Sequence, residues 1–314
     1  MAKKYKVGII GYTGMVGQEL TRVFEEGAYD VLDKDKVDVK IVYKRNSSGE
    51  IGSLEDCDVV FLATKDQASL DSVQECLDKG CKVIDMSGAF RLDREKFEKW
   101  YKLPHTRPEL LKEAVYGMPA INREKIKKAR LVANPGCYAT SVILALYPIK
   151  DLLAGEATVV STSGNSGARK SVEEVSDDWA YSYGHKHKHV PEMAMYSGVK
   201  VNFTPVVLRS VFKGINTNIR VQLDAEMSSK TDEEARCILE ERIRNAYSPL
   251  DLVSVVRDSS EMSYGTKVVN DTNAISIKVN VEDGFAYINS CLDNLGKGAA
   301  SQAVQNFKIM CGLE

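Results

Sequence analysis

The segment Asn134-Pro135-Gly136-Cys137-Tyr138-Ala139-Thr140 is the part of the chain best suited to covalent chemistry. A strand pattern over 130–133 precedes it and an apolar helical run over 141–147 follows, so Cys137 is expected at or near a helix N-terminus. The positive end of the helix dipole favours thiolate, the nucleophilic form of the side chain. Pro135 and Gly136 set a sharp turn that suits presentation into a cleft. An ordinary cysteine is a small buried hydrophobe, and the other six (Cys57, Cys76, Cys81, Cys237, Cys291 and Cys311) fall in or beside ordinary elements or near the C-terminus. A second cluster holds three of the four histidines: His185, His187 and His189, in the polar run 181–192. Three readings stay open for it. Alternate histidines of an extended segment point to one side and could bind zinc, although no cysteine pair or acid stands at ligand spacing. A histidine beside the thiol could stabilise the thiolate and later protonate an oxyanion. The third reading is a solvated basic loop.

A third constellation could bind a nucleotide. Gly11-Tyr12-Thr13-Gly14-Met15-Val16-Gly17 stands between a first strand and a first helix. Glycines there allow a tight turn and close backbone approach, and the helix N-terminus offers N–H groups to a pyrophosphate. The spacing is G-x-x-G-x-x-G rather than the commoner G-x-G-x-x-G, and a plain tight turn is the alternative. The binding atoms would come from Gly11, Thr13, Gly14, Met15 and Val16. The second strand ends in Tyr43-Lys44-Arg45-Asn46-Ser47-Ser48-Gly49, with no acid for a ribose 2′-hydroxyl but with cations and hydroxyls that suit a 2′-phosphate. Arg45, Ser47 and Ser48 therefore point to NADP(H) over NAD, against the alternative of a solvated basic loop.

Elements must position these groups. Strand patterns at 7–10, 37–43, 59–63, 82–85 and 130–133 alternate with helical ones at 14–26, 66–79 and 122–129, as in a parallel doubly wound sheet. The run 59–63 is continuously apolar, as a strand covered on both faces requires. From about residue 157 the texture turns β-rich, with strands expected over 201–205, 214–223, 252–256, 274–281 and 285–292, and a helix over 232–245. That predicts a mainly antiparallel sheet with helices on one face. An amphipathic helix is expected over 298–310. The 314 residues suit two domains. Hydrophobic residues at 44% and charged residues at 27% are those of a globular protein, which excludes a disordered tail, a collagen or a simple coiled coil. Lys+Arg 42 against Asp+Glu 44 leaves a formal charge of −2 and no electrostatic reason to expect nucleic acid or a membrane surface as partner. Seven cysteines are odd in number and too sparse for a disulfide scaffold, so reduced thiols in a cytoplasm are expected. No signal-peptide pattern and no apolar run of membrane-spanning length is present.

Taken together these segments resemble the N-acetyl-γ-glutamyl-phosphate reductases of the semialdehyde dehydrogenase superfamily. The likeness is carried by Asn134–Thr140, His187-Lys188-His189-Val190-Pro191-Glu192, Phe203-Thr204-Pro205, Ala114-Val115-Tyr116-Gly117 and, most specifically, Asp293-Asn294-Leu295-Gly296-Lys297-Gly298-Ala299-Ala300. It spans nearly the whole chain in the same motif order. Residues 11–17 and 85–93 look more like the versions in the related aspartate-semialdehyde dehydrogenases. The resemblance implies an NADP-binding Rossmann domain over 1–136, an α+β catalytic and oligomerisation domain over 137–293, and a C-terminal helix within 294–314 that returns to the first domain. It implies NADPH-dependent reduction of an acyl phosphate through a thioester on Cys137, with His187 or His189 as acid/base. Arg91 would meet the phosphate, with Asn134 and Glu192 also at the substrate. Ser87, Gly164 and Asn294 would join the cofactor set, and no metal is expected. The implied partners are a small acyl phosphate and further copies of the chain, as a dimer or tetramer. Aspartyl phosphate, carrier-linked aminoadipyl phosphate and a non-catalytic NADP-binding regulator are the rival readings. Four departures from the family pattern stand out: Lys65-Asp66-Gln67 in place of Pro-His-Gly, Val206 in place of His, Lys213 in place of Arg, and a glycine-rich run 163–170 one residue short. Val206 and Lys213 bear on which acyl group is accepted, not on the chemistry.

Overall fold

The fold is taken from a computed structural model that describes residues 2–168, 177–247, 253–255 and 265–313. Two compact units emerge: Met1–Gly136 with Ala299–Glu314, and Cys137–Gly298.

The first unit runs β1 (Lys3–Ile10), α1 (Met15–Glu26), β2 (Val37–Asn46), β3 (Gly49–Gly52), β4 (Val59–Leu62), α2 (Asp66–Asp78), β5 (Lys82–Asp85), α3 (Arg94–Tyr101), β6 (Val115–Tyr116), α4 (Pro119–Lys128) and β7 (Leu131–Ala133). Its sheet has the order β3-β2-β1-β4-β5-β7-β6, parallel except for the β2–β3 hairpin. Strand order reverses between β1 and β4, the switch point where doubly wound sheets bind ligands. The continuous apolar runs follow from cover on both faces. Val7, Ile9, Val59 and Phe61 pack with Leu20, Val23 and Phe24 of α1, whereas Ile10, Val60 and Leu62 pack with Leu70, Val73 and Leu77 of α2.

The second unit continues through α5 (Cys137–Leu146), β8 (Leu153–Gly164), β9 (Trp179–Ala180), α6 (Val190–Ser197), β10 (Lys200–Leu208), β11 (Ile215–Leu223), α7 (Ala225–Ser228), α8 (Asp232–Tyr247), β12 (Val253–Val255), β13 (Ile275–Glu282) and β14 (Phe285–Leu292). The sheet order is β12-β13-β14-β11-β8-β10-β9. It is mainly antiparallel, as expected, with two parallel pairs, β8–β10 and β12–β13. For the first pair the cause is connectivity: the chain between β8 and β10 crosses over through α6, and a crossover returns a strand in the same direction. The expected strand over 252–256 is observed as β12, while residues 252 and 256 lie outside the described residues, as do Arg169 and Lys170 of the glycine-rich run. One sheet face is covered by α5 and α8, tied by the Tyr247 hydroxyl donating to Leu144 O at 2.7 Å. On the other face β11 exposes Asn218, Arg220 and Gln222 while burying Ile219 and Val221.

The helix expected over 298–310 begins differently. A wide turn over Gly296–Ala300 precedes α9 (Ser301–Met310). The Gly298 N–H reaches five residues back to Asp293 O at 2.8 Å, and the buried Asp293 carboxylate accepts from the Leu295 and Gly296 N–H groups. α9 belongs to the first unit, where Ala303, Val304 and Phe307 join the core of β1, β4 and α1. Phe307 meets Tyr5 edge-on and lies 6.1 Å from both Phe24 and Phe61.

Candidate active site

In the first unit the glycine turn lies at the switch point. Gly11 has φ +89°, and a Cβ there would fall 2.4 Å from Ala63 O, just past the end of β4. A Cβ on Gly17 would fall 2.3 Å from Gly11 O. Both positions exclude any side chain, which keeps the backbone of the turn bare. Gly14 is the N-cap of α1 and its N–H donates to Gly11 O at 3.1 Å. Thr13 O accepts from Gln18 Nε2 at 2.9 Å, and no side chain caps the first turn that carries Met15 and Val16. The turn has the form of a pyrophosphate cradle.

At the end of β2 the expected basic loop is a hairpin. The Ser48 N–H donates to Asn46 Oδ1, and the chain folds back as β3. Arg45 is partly buried and paired: its guanidinium donates to Glu75 at 2.8 Å and Ser72 Oγ at 2.7 Å, both on α2. No acid falls within residues 43–49, but the hairpin sets Glu50 opposite Arg45, and α2 supplies Glu75 from thirty residues away.

Past β5, the buried Asp85 carboxyl takes a hydrogen bond from Ser87 Oγ at 2.8 Å, and burial pushes its pKa up against the bonds from Ser69 and Ser87. Ser87 Oγ also accepts from the Ala89 N–H. The departure at residues 65–67 has a use here, since Asp66 Oδ1 accepts from the Gly88 N–H at 2.6 Å. Arg91 is buried, with Nε donating to Asn134 O at 2.8 Å and a terminal nitrogen donating to Met86 O.

In the second unit Cys137 is the first residue of α5 and is partly exposed. A Cβ on Gly298 would fall 2.8 Å from the Cys137 Cβ, so glycine lets the wide turn pack on the thiol-bearing residue. The histidine segment is not extended. It is sewn onto β10 by Phe203 N–H to Gly184 O (2.9 Å) and Tyr181 N–H to Pro205 O (3.2 Å). His187 and His189 are buried with ring centroids 4.8 Å apart. Tyr138 lies 5.7 Å from the first and 6.1 Å from the second, and Tyr181 and Phe203 complete the cage around His187. The His189 N–H donates to His187 Nδ1 at 3.1 Å, which places the neutral ring's proton on Nε2. Burial pushes His187 down to about 4, helped by the charge of Lys188. Tyr138 and Tyr181 are both raised, mainly by burial and in part by the charge of the Cys137 sulfur. His185 stands apart at the surface, 2.6 Å from Glu156. Among the described residues no three His, Cys, Asp or Glu side chains are grouped to hold a metal ion.

Two family descriptions match these two units: the semialdehyde dehydrogenase NAD binding domain over residues 6–129 and the semialdehyde dehydrogenase dimerisation domain over 137–294. The chain belongs to the semialdehyde dehydrogenase family. Within it, the chain is 35% identical to N-acetyl-γ-glutamyl-phosphate reductase of Thiobacillus denitrificans and 34% identical to that of Thermus thermophilus, covering 98% of this chain and 96% of each relative. Solved structures share the fold: aspartate semialdehyde dehydrogenase II of Vibrio cholerae (TM-score 0.73, 17% identity, 99% of both chains) and the Candida albicans enzyme with NADP (0.67, 15%, 98% and 99%).

The remaining residues expected from the semialdehyde dehydrogenase likeness fall as follows. Asn294 is buried; its Oδ1 accepts from the Gly214 N–H at 2.7 Å and its Nδ2 donates to Ser166 Oγ at 3.1 Å. Gly164 is buried against the 212–214 backbone, where a Cβ would fall 2.4 Å from Phe212 O. Glu192 is fully buried on α6. Lys213 bridges Asp271 at 2.6 Å and Asp293 at 3.0 Å, and Val206 pairs with Thr162 and Ala180 inside the sheet. Asn134 is buried and both side-chain amide atoms are engaged inside the first unit, Nδ2 donating to Ala299 O and Oδ1 accepting from Asn306 Nδ2. Sequence reasoning missed Tyr138, Tyr181 and Lys297. The last is buried beside Gly298, and desolvation lowers its ammonium to about 7. The readable signal was a lysine between two glycines in an otherwise apolar setting.

Proposed function

We propose that the chain reduces N-acetyl-γ-glutamyl phosphate to the semialdehyde with NADPH. The carrying observation is identity of about a third, over 98% of the chain, to relatives named for that reaction. The side-chain-free cradle at Gly11 and Gly17 fits a dinucleotide. When bound, NADPH supplies hydride. Cys137, at a helix N-terminus, attacks the acyl carbon as thiolate; the carbon–oxygen bond to phosphate breaks and a thioester forms. Arg91 holds the departing phosphate, and His189 takes the thiol proton and passes it to that phosphate. After hydride addition the resulting alkoxide is stabilised by the His187 Nε2–H, then expels the Cys137 thiolate as the aldehyde leaves. The assignment of the two histidines rests on the His187 Nδ1 contact and its low pKa, which keep that ring a neutral donor near pH 7. The test is incubation with the acyl phosphate without NADPH, followed by mass spectrometry. Acylated Cys137 is expected; its absence with turnover intact in Cys137→Ser would end the reading.

The departures from the family pattern at Val206 and Lys213 keep a second reading, aspartyl phosphate as substrate. A substrate panel with NADPH and NADH separates the two. The chain acts as a homo-oligomer, dimer or tetramer, as the dimerisation-domain match and the open sheet face with Arg220 stacked 3.6 Å from the Phe285 ring support. Seven free cysteines, with a thiolate among them, call for a reducing compartment, the cytoplasm. No described helix is long and apolar enough to cross a membrane.

A further inference from the structure

We propose that Asn306, on the C-terminal helix α9, is a positioning residue for the turn that presents Cys137. The proposal rests on the reading of Cys137 as nucleophile. Asn306 is fully buried, and its Nδ2 donates to Gly117 O at 2.8 Å and to Asn134 Oδ1 at 3.0 Å. Asn134 Nδ2 donates in turn to Ala299 O at 3.2 Å. The Asn134 main chain is held as well: its N–H donates to Asp85 O at 2.7 Å and its C=O accepts from Arg91 Nε at 2.8 Å. Every polar atom of Asn134 is thus tied inside the first unit, three residues before Cys137. Pro135 follows with its φ locked by the ring, so few torsions separate the clamp from the thiol. Gly117 is shaped to the same contact, because a Cβ there would fall 2.4 Å from Asn306 Nδ2.

Stability alone does not explain the amides. Asn306 Oδ1 and Gln302 Oε1 are buried and accept no hydrogen bond among the described residues. Burying an acceptor unsatisfied costs about 1–3 kcal/mol, and an aliphatic side chain on this helix face would avoid that cost. What Asn306 contributes instead is a fixed place for Asn134. Gln302 lies one turn earlier on the same face; its Nε2 reaches Gly117 O at 3.4 Å but makes no bond to Asn134.

The experiment compares Asn306→Ala with Gln302→Met in the full chain. It measures kcat and KM for the acyl phosphate, NADPH binding by fluorescence, and the pH profile of Cys137 alkylation by iodoacetamide. For Asn306→Ala we expect kcat down by about 10–100-fold, NADPH affinity within about twofold of wild type and alkylation of Cys137 shifted to higher pH. Gln302→Met, which removes a buried acceptor that has no hydrogen bond, should keep stability, kcat and the alkylation profile. A folded Asn306→Ala with wild-type kcat and alkylation overturns the proposal, as does an equal loss in Gln302→Met, which would assign the effect to packing. If Asn306→Ala does not fold, Asn134→Asp decides: Asn306 still finds an acceptor there while Ala299 O loses its donor, and unchanged kcat and alkylation would overturn the proposal. Wild-type protein that never acylates Cys137 overturns the nucleophile reading itself; normal acylation that is insensitive to these variants overturns only the role of Asn306.

Discussion

The glycine turn of the first unit and the aromatic enclosure of His187 in the second are built in opposite ways. The turn is kept bare: Gly11 and Gly17 leave no room for a Cβ, so no side chain covers its backbone at these positions. The pocket works by enclosure, since Tyr138, Tyr181 and Phe203 strip water from His187 and hold it neutral. A bare surface is specified by residues spaced six apart, whereas an enclosure is specified by residues tens of positions apart. The first is therefore readable along the chain, and the second exists only after folding.

Variants that break one region and spare the other sharpen this contrast. The largest effect is expected from Cys137→Ser: kcat falls by at least about 10³-fold while NADPH binding, followed by fluorescence titration, is retained. Gly17→Ala should do the reverse. Its methyl would meet Gly11 O at 2.3 Å and Tyr12 Cα at 2.6 Å, so NADPH affinity should drop about 10–100-fold, and stability by about 1–3 kcal/mol in a denaturant melt. Normal cofactor binding in that variant would refute the cradle.

His187 gives the next effect, and its sign is fixed by burial. Its folded pKa of about 4 lies below the unfolded 6.5, so between those values the unfolded chain binds a proton that the folded one refuses. Stability should fall as pH drops from 6.5 toward 4, by on the order of 3 kcal/mol from this group. His187→Gln should remove that part of the slope in urea melts at pH 7, 5.5 and 4.5. An unchanged slope would mean that the ring titrates normally. The smallest effect belongs to His185→Gln. Its pair with Glu156 is exposed, so a change of at most about 1 kcal/mol and no loss of kcat are expected; a tenfold drop in kcat would place all three histidines in one function.

Much of the architecture was legible. Continuous apolar runs at β1 and β4 required cover on both faces, and the alternation of helix and strand required a parallel sheet. The direction of β10 was not legible, because it depends on the crossover through α6 rather than on any pattern within the strand. The start of α9 was misread for a similar reason: the Asp293 carboxylate and two glycines stabilise a wide turn where helical periodicity alone continued the helix backwards.

Within the site, the types of residue could be named from the chain, and their states could not. Cys137, the glycine turn and the histidine pair are local patterns, and sequence alone determines that these groups exist at these spacings. That Arg45 pairs with Glu75, that burial lowers His187 while His185 stands exposed beside Glu156, and that Asn134 accepts a hydrogen bond from α9 were decided by tertiary structure. The physical reason is that charge state, tautomer and orientation are properties of surroundings. Those surroundings draw in residues far apart in the chain, Arg45 with Ser72 across 27 positions and Asn134 with Asn306 across 172.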